Sequence, residues 1–178
     1  MENLALKYRP KTFDDLVEQK NVKNILQSMC EQENLPNRNF LLIGSRGIGK
    51  TTTARIMAGQ LNGNQNQTIE IDAASHSGVE SIREIVKQAQ LYPIGAKYKV
   101  FIVDEVHSIS NTAWQALLKV LEEQPAKTVM ILCTTNPEKI PATIISRVQV
   151  FQLANISLDG IVSRLKYVIE EENQEGAN

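Results

Sequence analysis

A glycine-rich segment at residues 44–51 could hold phosphate. It reads GSRGIGKT and fits the phosphate-binding-loop pattern G-x-x-x-x-G-K-[ST]. The apolar run FLLIG leads into it and the helical run TTTARIMAGQL follows it, so backbone N–H groups would surround phosphate oxygens at a helix N-terminus. Chance gives such a match in on the order of half a per cent of chains of this length, which disfavours an ordinary glycine-rich turn.

Two side chains at the end of this loop carry most of its expected chemistry. Lys50 would reach the β- and γ-phosphate oxygens of a nucleoside triphosphate, and Thr51 would bind Mg²⁺ through its hydroxyl. The residues expected to bind the nucleotide in this segment are Gly44, Ser45, Arg46, Gly47, Ile48, Gly49, Lys50, Thr51 and Thr52.

A pair of carboxylates follows a second apolar run. In KVFIVDEVH, residues 99–107, Asp104 and Glu105 stand at the carboxyl end of an expected strand, the edge at which ligands of open α/β sheets bind. Asp104 would hold Mg²⁺ through water, and Glu105 would polarise the water that attacks the γ-phosphate. An Asp-Glu pair alone is common, but beside a phosphate-binding loop it indicates a hydrolase rather than a kinase.

Two further polar positions leave alternatives open. Thr135 and Asn136 end the run VMILCTTN, where one side chain could bond the γ-phosphate or the attacking water. It is equally plausible that they only begin a turn before Pro137. Arg147 precedes the last expected strand, and an arginine at such a place is usually a surface residue.

The alternation of apolar runs and helical patterns predicts an α/β fold with a parallel sheet covered by helices on both faces. The expected strands are Phe40–Gly44, Ile69–Ala73, Val100–Asp104, Val129–Thr135 and Val148–Leu153. The apolar stripes expected to face the sheet are Val22, Ile25, Leu26 and Met29; Val79, Ile82, Val86 and Ala89; and Trp114, Leu117, Leu118 and Leu121.

The last helical pattern, SLDGIVSRLKYVIEEEN, differs from the others because no later helix is left to cover it. Ser157 is its expected N-cap, and Ile161, Leu165 and Val168 lie on one face. This suggests that a further helical unit has been cut off or lies in another chain.

Composition excludes several classes of protein. The 178 residues suit one domain, and a net charge of -1 means that any nucleic-acid contact must come from a local patch. Cys30 and Cys133 are far apart and form no CxxC, so we expect idle thiols in a reducing compartment and no zinc site. Without a signal peptide or a membrane-length apolar run, the sequence indicates a soluble, cytoplasmic protein with no membrane contact.

Six segments together resemble one family. They are KYRPKTFDDLVEQ, GSRGIGKTTTARI, IEIDAASHSGVESIRE, KYKVFIVDEVHSIS, ALLKVLEEQP and CTTNPEKIPATIISR. The chain is similar, over almost its whole length, to the AAA+ P-loop ATPase domains of the bacterial DNA polymerase III gamma/tau family, the motors of sliding-clamp loaders. Many AAA+ proteins share the loop and the Asp-Glu pair, but the IEIDAAS and ALLKVLEE blocks are narrower and separate the chain from branch-migration helicases.

The resemblance assigns roles to residues that the motifs alone leave open. It implies that Tyr8, Arg9, Pro10 and Val17 border the adenine pocket. Thr135 would be the first sensor, on a strand between those that carry the phosphate-binding loop and Asp104. Ser146-Arg147 resembles a Ser-Arg-Cys motif whose arginine enters the neighbouring subunit's ATP site. The implied catalytic set is therefore Lys50, Glu105, Thr135 and Arg147.

The resemblance also implies ligands and partners. ATP and Mg²⁺ would be bound, in a hetero- or homo-oligomeric ring of clamp-loader subunits. The helix starting near Gly78 resembles one whose N-terminal end faces the backbone of primer-template DNA. Leu91, Tyr92 and Pro93 resemble a region that touches the sliding clamp, although a place in the core is at least as plausible for Leu91 and Tyr92.

Three departures from the family pattern matter. The family's four-cysteine zinc module is replaced by NGNQNQ, so no zinc is expected; Val-Gly-Gln reads Val17-Glu18-Gln19; and Val148 stands where the cysteine follows the arginine. We expect a nucleotide-binding domain over residues 1–155, and the first lid helix with a polar tail over 156–178. The rest of the lid, its second sensor arginine and the collar would be absent. A phage-encoded or otherwise minimal subunit, or a fragment, would explain these gaps.

The leading hypothesis from the sequence is therefore an ATPase motor subunit that couples ATP binding and hydrolysis to clamp loading in DNA replication. One alternative is a non-catalytic structural subunit of the same assembly. Another is a different AAA+ remodeller, such as a helicase loader.

Overall fold

A computed structural model describes residues 3–63, 67–75 and 78–175. Five strands and seven helices follow one another in these ranges. Their order is α1 (Leu4–Lys7), α2 (Lys20–Cys30), β1 (Asn39–Ile43), α3 (Lys50–Asn62), β2 (Thr68–Asp72), α4 (Val79–Ala89), β3 (Lys99–Asp104), α5 (Asn111–Glu123), β4 (Thr128–Thr134), α6 (Ala142–Ile145), β5 (Gln149–Gln152) and α7 (Leu158–Glu175). Short 3₁₀ turns lie at Val106–Ser108 and Pro137–Lys139.

The strands form one parallel sheet in the order β2-β3-β4-β1-β5. The predicted α/β class and the five predicted strands are confirmed, and each observed strand bound differs from the predicted one by no more than one residue. The strand that ends at Thr134 lies between the strand before the phosphate-binding loop and the strand that ends at Asp104, as the resemblance implies. Since all strands run the same way, their carboxyl ends meet at one edge of the sheet.

Alternate residues of the strands feed two separate cores, because successive side chains of a strand point to opposite faces. Phe40 and Leu42 of β1 belong to one buried cluster with residues of α2 and α3. Leu41, between them, belongs to the other cluster with residues of α4 and α5. Both faces of the sheet are thus covered by helices, as the sequence pattern predicts.

Most of the predicted helical stripes are buried, with one error. Leu26 and Met29 of α2 are buried, but Ile25 is 48% exposed. The buried face of α2 is centred on Leu26, Met29 and Cys30, and at about 100° per residue Ile25 points away from that centre. In α4 the stripe also includes Ile85, which the sequence pattern left out.

The final helix α7 packs differently from the others. Ser157 is its N-cap, as predicted, because its hydroxyl accepts a hydrogen bond from the Gly160 N–H at 3.1 Å. Ile161 and Leu165 are 45% and 56% exposed, so the apolar face of α7 is not part of either core. None of the helices in the described ranges combines the length and apolar content that crossing a membrane requires.

Candidate nucleotide-binding site

A cavity of about 540 Å³ opens at the carboxyl edge of the sheet. The phosphate-binding loop and the first turn of α3 contribute Arg46, Gly47, Gly49, Lys50, Thr51 and Thr52 to its lining. The strand ends contribute Asp72, Asp104 and Glu105. The structure therefore brings the predicted loop and the predicted carboxylates together around one space.

The loop that joins β1 to α3 depends on glycine for its shape. Gly47 has φ 83° and Gly49 has φ 101°, values in the left-handed region that side chains disfavour. A Cβ atom added at either position meets no atom within 4 Å, so glycine is required there for the backbone conformation and not for space.

The ammonium group of Lys50 lies inside the loop. Lys50 is 6% exposed, and its Nζ donates to the carbonyl oxygens of Gly44 at 3.0 Å and Ser45 at 2.9 Å. Carbonyl groups hold the ammonium in place without cancelling its charge. A buried cation of this kind suits an anionic ligand, because the ligand supplies the missing counter-charge.

Thr51 and Asp104 form the next part of the site. The Thr51 hydroxyl donates to Asp104 Oδ2, and Asp104 Oδ1 accepts the Glu105 N–H at 2.9 Å. Hydroxyl and carboxylate oxygens are ligands that Mg²⁺ prefers, and Mg²⁺ commonly takes one or two carboxylates together with substrate phosphates. In the described ranges no group of three or more His, Cys, Asp or Glu residues could hold a metal by itself. The oxygen donors of Thr51 and Asp104 fit an ion that is shared with phosphate.

The carboxylate of Glu105 is held by residues of neighbouring elements. Its backbone has φ 47° and ψ 42°, a left-handed conformation that is uncommon outside glycine and recurs at functional sites. The Thr135 hydroxyl lies 3.0 Å from Glu105 Oε2, and His107 Nδ1 lies 3.4 Å from the same oxygen. Thr135 and Glu105 also line a second cavity of about 450 Å³, which shares Arg46 and Asp72 with the first.

The TTN segment begins a turn and also contacts Glu105, whereas a bond to a phosphate or to the attacking water stays a prediction. Thr135 joins Glu105, whereas the Asn136 N–H donates to Thr134 Oγ1 at 3.0 Å and Asn136 leads into the turn at Pro137–Lys139. Asn136 Oδ1 is also 3.0 Å from the Thr135 hydroxyl, so the turn residue helps to orient the candidate sensor.

The chain is similar to subunits of bacterial DNA polymerase III. The family model described as DNA polymerase III, delta subunit, matches residues 65–157, just over half of the chain. The chain is 39% identical over 186 residues to DNA polymerase III subunit tau of Bacillus subtilis, covering 93% of this chain and 33% of that protein. It is 36% identical over 191 residues to the tau subunit of Escherichia coli, covering 96% and 30%.

The chain belongs to the DNA polymerase III clamp-loader family of AAA+ proteins. The resemblance inferred from the six sequence segments is thereby confirmed at the level of the family. The chain spans about a third of the length of these two relatives.

Solved structures support the AAA+ fold of this clamp-loader-family chain. The Holliday junction branch migration motor RuvB of Thermotoga maritima superposes with a TM-score of 0.72 at 24% identity, over 92% of this chain and 53% of that one. A DNA polymerase III gamma subunit-related protein of the same organism gives 0.63 at 22% identity, over 76% and 46%. At these identities the likeness concerns the fold alone.

The N-terminal segment supplies the remaining wall of the first cavity. Ala5, Tyr8, Arg9 and Pro10 line it, as the resemblance implies for the last three. Val17 is not among the lining residues. It packs beneath the start of α7, where a Cβ added at Gly160 would come within 3.0 Å of Val17 Cγ1, so its place at an adenine pocket stays a prediction.

Three residues of the loop, Gly44, Ser45 and Ile48, do not line the cavity. They make or allow contacts that hold the loop on the rest of the protein. A Cβ at Gly44 would come 2.2 Å from Ile48 Cδ1, so glycine lets the Ile48 side chain fold back over the end of β1. Ile48 packs against the first core, and the Ser45 hydroxyl donates to Asn155 Oδ1 at 2.9 Å. These contacts fix the loop that presents Lys50.

Arg147 stands apart from the cavities. Its guanidinium donates to the Thr143 carbonyl at 2.7 Å and pairs with Glu122 at 2.7 Å, and it lines neither the 540 Å³ nor the 450 Å³ cavity. Arg147 therefore takes no part in the site of its own chain, which is the arrangement that a role in a neighbouring site needs. That role stays a prediction.

The structure places the two segments that the resemblance links to the sliding clamp and to DNA. Leu91 and Tyr92 are 61% and 71% exposed, so the alternative that they belong to the core is wrong; both follow the end of α4, beyond its packed stripe. Helix α4 begins after Gly78, a residue without a side chain that could cap the first-turn N–H groups.

Among the acidic, basic and histidine residues that line the two cavities, reasoning from the sequence missed Asp72 and His107. Asp72 ends β2 directly opposite Asp104 in the register and lines both cavities. It could have been found, because it ends the run TIEID just as Asp104 ends its own strand. His107 had no comparable signal, since its contact with Glu105 depends on the turn at Val106–Ser108.

Proposed function

We propose that this chain is an ATPase motor subunit of a DNA polymerase III-type clamp loader. It would couple ATP binding and hydrolysis to the loading of a sliding clamp on primer-template DNA. The observation that carries the proposal is the convergence of the Lys50 ammonium, the Thr51–Asp104 pair and the Thr135–Glu105 contact at one edge of the sheet.

For ATP binding, the loop from Gly44 to Thr52 would wrap the phosphates with its backbone N–H groups, and Lys50 would bind the β- and γ-phosphate oxygens. Thr51 and, through water, Asp104 would hold Mg²⁺. Mg²⁺ held there would neutralise part of the charge that develops during phosphoryl transfer. Tyr8, Arg9 and Pro10 would contact the nucleoside.

For hydrolysis, Glu105 would accept a hydrogen bond from the water whose oxygen attacks the γ-phosphorus. The bond from that phosphorus to the oxygen bridging it to the β-phosphate would break. The Thr135 hydroxyl, 3.0 Å from Glu105 Oε2, would bond the γ-phosphate or that water. The Thr135 hydroxyl has one proton and cannot donate it to Glu105 and to the γ-phosphate at the same time. Glu105 would therefore lose this hydrogen bond when the γ-phosphate is bound.

Completion of the site would require a second subunit. Arg147 would enter the ATP site of its neighbour, and an arginine in this position is worth about 10³–10⁵ in rate. The chain alone would therefore hydrolyse ATP slowly. Its partners would be other subunits of a hetero- or homo-oligomeric ring in the cytoplasm, with residues 1–155 as the nucleotide-binding domain and residues 156–178 beginning a lid.

Two other partners follow from exposed features. The uncapped N-terminus of α4 would face a DNA phosphate without reading sequence. The exposed Leu91 and Tyr92 would bind the sliding clamp.

Glu105→Gln tests the catalytic assignment. We expect ATP affinity measured by calorimetry to stay within about threefold of the unchanged chain, because the amide keeps the shape of the side chain. Steady-state ATP hydrolysis in the complex assembled with clamp and primer-template DNA should fall by at least about 100-fold. Full turnover would identify another base. An unchanged chain that binds ATP but adds no turnover to the complex would favour the non-catalytic subunit.

A further inference from the structure

Helix α7 makes its polar contacts with the segment that forms one wall of the nucleotide cavity. Glu172 Oε1 accepts hydrogen bonds from the Tyr8 hydroxyl at 2.7 Å and from Lys7 Nζ at 2.6 Å. Arg164 donates to the Tyr8 backbone carbonyl at 2.5 Å. The rings of Tyr8 and Tyr167 meet edge to face, with centroids 6.3 Å apart.

The wall has little support of its own. Helix α1, which leads into it, is four residues long and contains no buried residue, and so short a helix is not stable by itself. Pro10 has no N–H to donate. The contacts from α7 therefore hold Tyr8 in place on both its side-chain hydroxyl and its backbone carbonyl.

Charge favours the same contact at neutral pH. Hydrogen bonds from Lys7 and Tyr8 hold the pKa of Glu172 below its ordinary value, so its carboxylate is ionised and accepts both bonds. Lys7 lies at the C-terminal end of α1. The ion pair consequently ties the end of α1 to α7, immediately before the residues that line the cavity.

The two walls of the cavity offer different chemistry. The loop supplies backbone N–H groups and the Lys50 ammonium, which suit phosphate. The N-terminal wall supplies Ala5, Tyr8 and Pro10, residues with apolar surface that suits the base and sugar of a nucleotide, together with Arg9. A change confined to the N-terminal wall should affect only the nucleoside part of the ligand.

We propose that Glu172 is a positioning residue for nucleoside binding, which acts by holding Tyr8–Pro10 against α7. The inference rests on the proposed nucleotide function of the cavity. Because binding couples in both directions, a bound nucleoside also stabilises the contact of α7 with the N-terminal wall. Helix α7 thereby senses whether the nucleoside part of the site is filled.

The first experiment measures affinity by calorimetry for Mg·ATP and for Mg·tripolyphosphate, which lacks the nucleoside. Glu172→Ala is expected to weaken ATP binding by about three- to tenfold, the scale of one partly exposed hydrogen-bonded contact, and to leave tripolyphosphate binding unchanged. Glu172→Gln, which keeps an acceptor oxygen, should have an ATP affinity between those of the unchanged chain and Glu172→Ala. The matched control is Glu170→Ala, an exposed glutamate on the same helix, which should bind ATP like the unchanged chain.

Three outcomes decide the matter. Equal ATP affinity in Glu172→Ala and Glu170→Ala overturns the inference, as does an equal loss for ATP and tripolyphosphate. Lys50→Ala reports separately on the proposed function: if it binds both ligands normally, the nucleotide site itself is misassigned.

A second measurement needs no variant and so does not depend on the folding of Glu172→Ala. Hydrogen exchange of the α7 amides is followed in the unchanged chain, with saturating Mg·ATP or saturating Mg·tripolyphosphate. ATP should slow exchange in α7 by at least about twofold more than tripolyphosphate does, because only ATP fills the nucleoside side. Identical exchange with the two ligands contradicts the proposal.

Discussion

Lys50→Ala gives the most direct test of the phosphate-binding loop. The ammonium is buried and uses two of its three hydrogens on the carbonyl oxygens of Gly44 and Ser45, at 3.0 Å and 2.9 Å. One hydrogen remains free for a phosphate oxygen without any rearrangement. The substitution removes that donor together with the positive charge.

The size of the effect follows from this geometry. One hydrogen bond to a charged group contributes about 1.5–3 kcal/mol, which corresponds to a loss of about 10–150-fold in affinity. Attraction between the ammonium and the whole triphosphate adds to this value, so we expect ATP binding to weaken by at least about 100-fold. The free energy of unfolding without nucleotide should change by about 1 kcal/mol or less, because Lys50 forms no ion pair within the described ranges and its two partners are carbonyl oxygens.

The assay is calorimetric titration with Mg·ATP, accompanied by urea unfolding of each variant. Lys97→Ala is the matched control, since Lys97 Nζ also donates to a backbone carbonyl, that of Gln32 at 3.2 Å, but does not line the cavity. An affinity of Lys50→Ala within about threefold of this control would refute the argument from the buried cation.

Three further predictions concern other parts of the chain. Arg147→Ala should leave ATP affinity at its own cavity unchanged and slow hydrolysis at the adjacent site of a mixed assembly by about 10³-fold or more; normal turnover of the mixed assembly would remove Arg147 from the catalytic set. Asn62→Ala should lower the free energy of unfolding by about 2–4 kcal/mol in urea titrations, because Asn62 bonds the buried Tyr98 carbonyl at 2.8 Å and N–H at 2.9 Å, whereas Asn24→Ala on the exposed side of α2 should change it little. Helix α7 should lose protection from hydrogen exchange as the pH falls below about 4.5. Bonds from Ser157 lower the pKa of Glu18, and bonds from Lys7 and Tyr8 lower that of Glu172, from the ordinary 4.5, so the contribution of these carboxylates to stability is complete above that value and disappears as each is protonated. A Glu18→Gln, Glu172→Gln double variant should show no such step.

Local patterns were sufficient to predict the elements that carry the site. Parallel strands are buried on both faces, so their apolar runs stand out. Asp104 ends one such run, and Lys50 follows the glycine-rich loop after another. The same reasoning extends to Asp72, which was overlooked although it ends its strand in the same way. Residues fixed by their position on one element were therefore within reach of the sequence.

Contacts between elements could not be predicted from local sequence patterns. The approach of Thr135 to Glu105 depends on β4 lying beside β3, and only the family resemblance supplied that strand order. Glu172 and Tyr8 are brought together by the whole fold. Tyr8 lies in the segment KYRPKTFDDLVEQ, but Glu172 lies in none of the six segments, so their contact had no signal in the sequence. Glu18 stands where the family's Val-Gly-Gln pattern has glycine, at the point where the chain turns under α7. Glu18 and Gln19 both have positive φ, and their side chains bond Ser157 and Ala154.

The NGNQNQ segment, of which residues 64–66 lie outside the described ranges, joins two parts that are each fixed to the same strand region. Before it, α3 ends at Asn62, whose side chain bonds the backbone of Tyr98, and Gly63 follows in the left-handed conformation, with φ 55°. After it, the Gln67 carbonyl accepts the Val100 N–H at 2.9 Å. Thr51 and Asn62 stand at opposite ends of α3, about 17 Å apart at 1.5 Å per residue. Because both ends of the join are anchored near the start of β3 and Thr51 lies at the far end of the helix, we expect a longer insertion at this point to change the outer surface of the subunit and to leave Lys50, Thr51 and Asp104 in place.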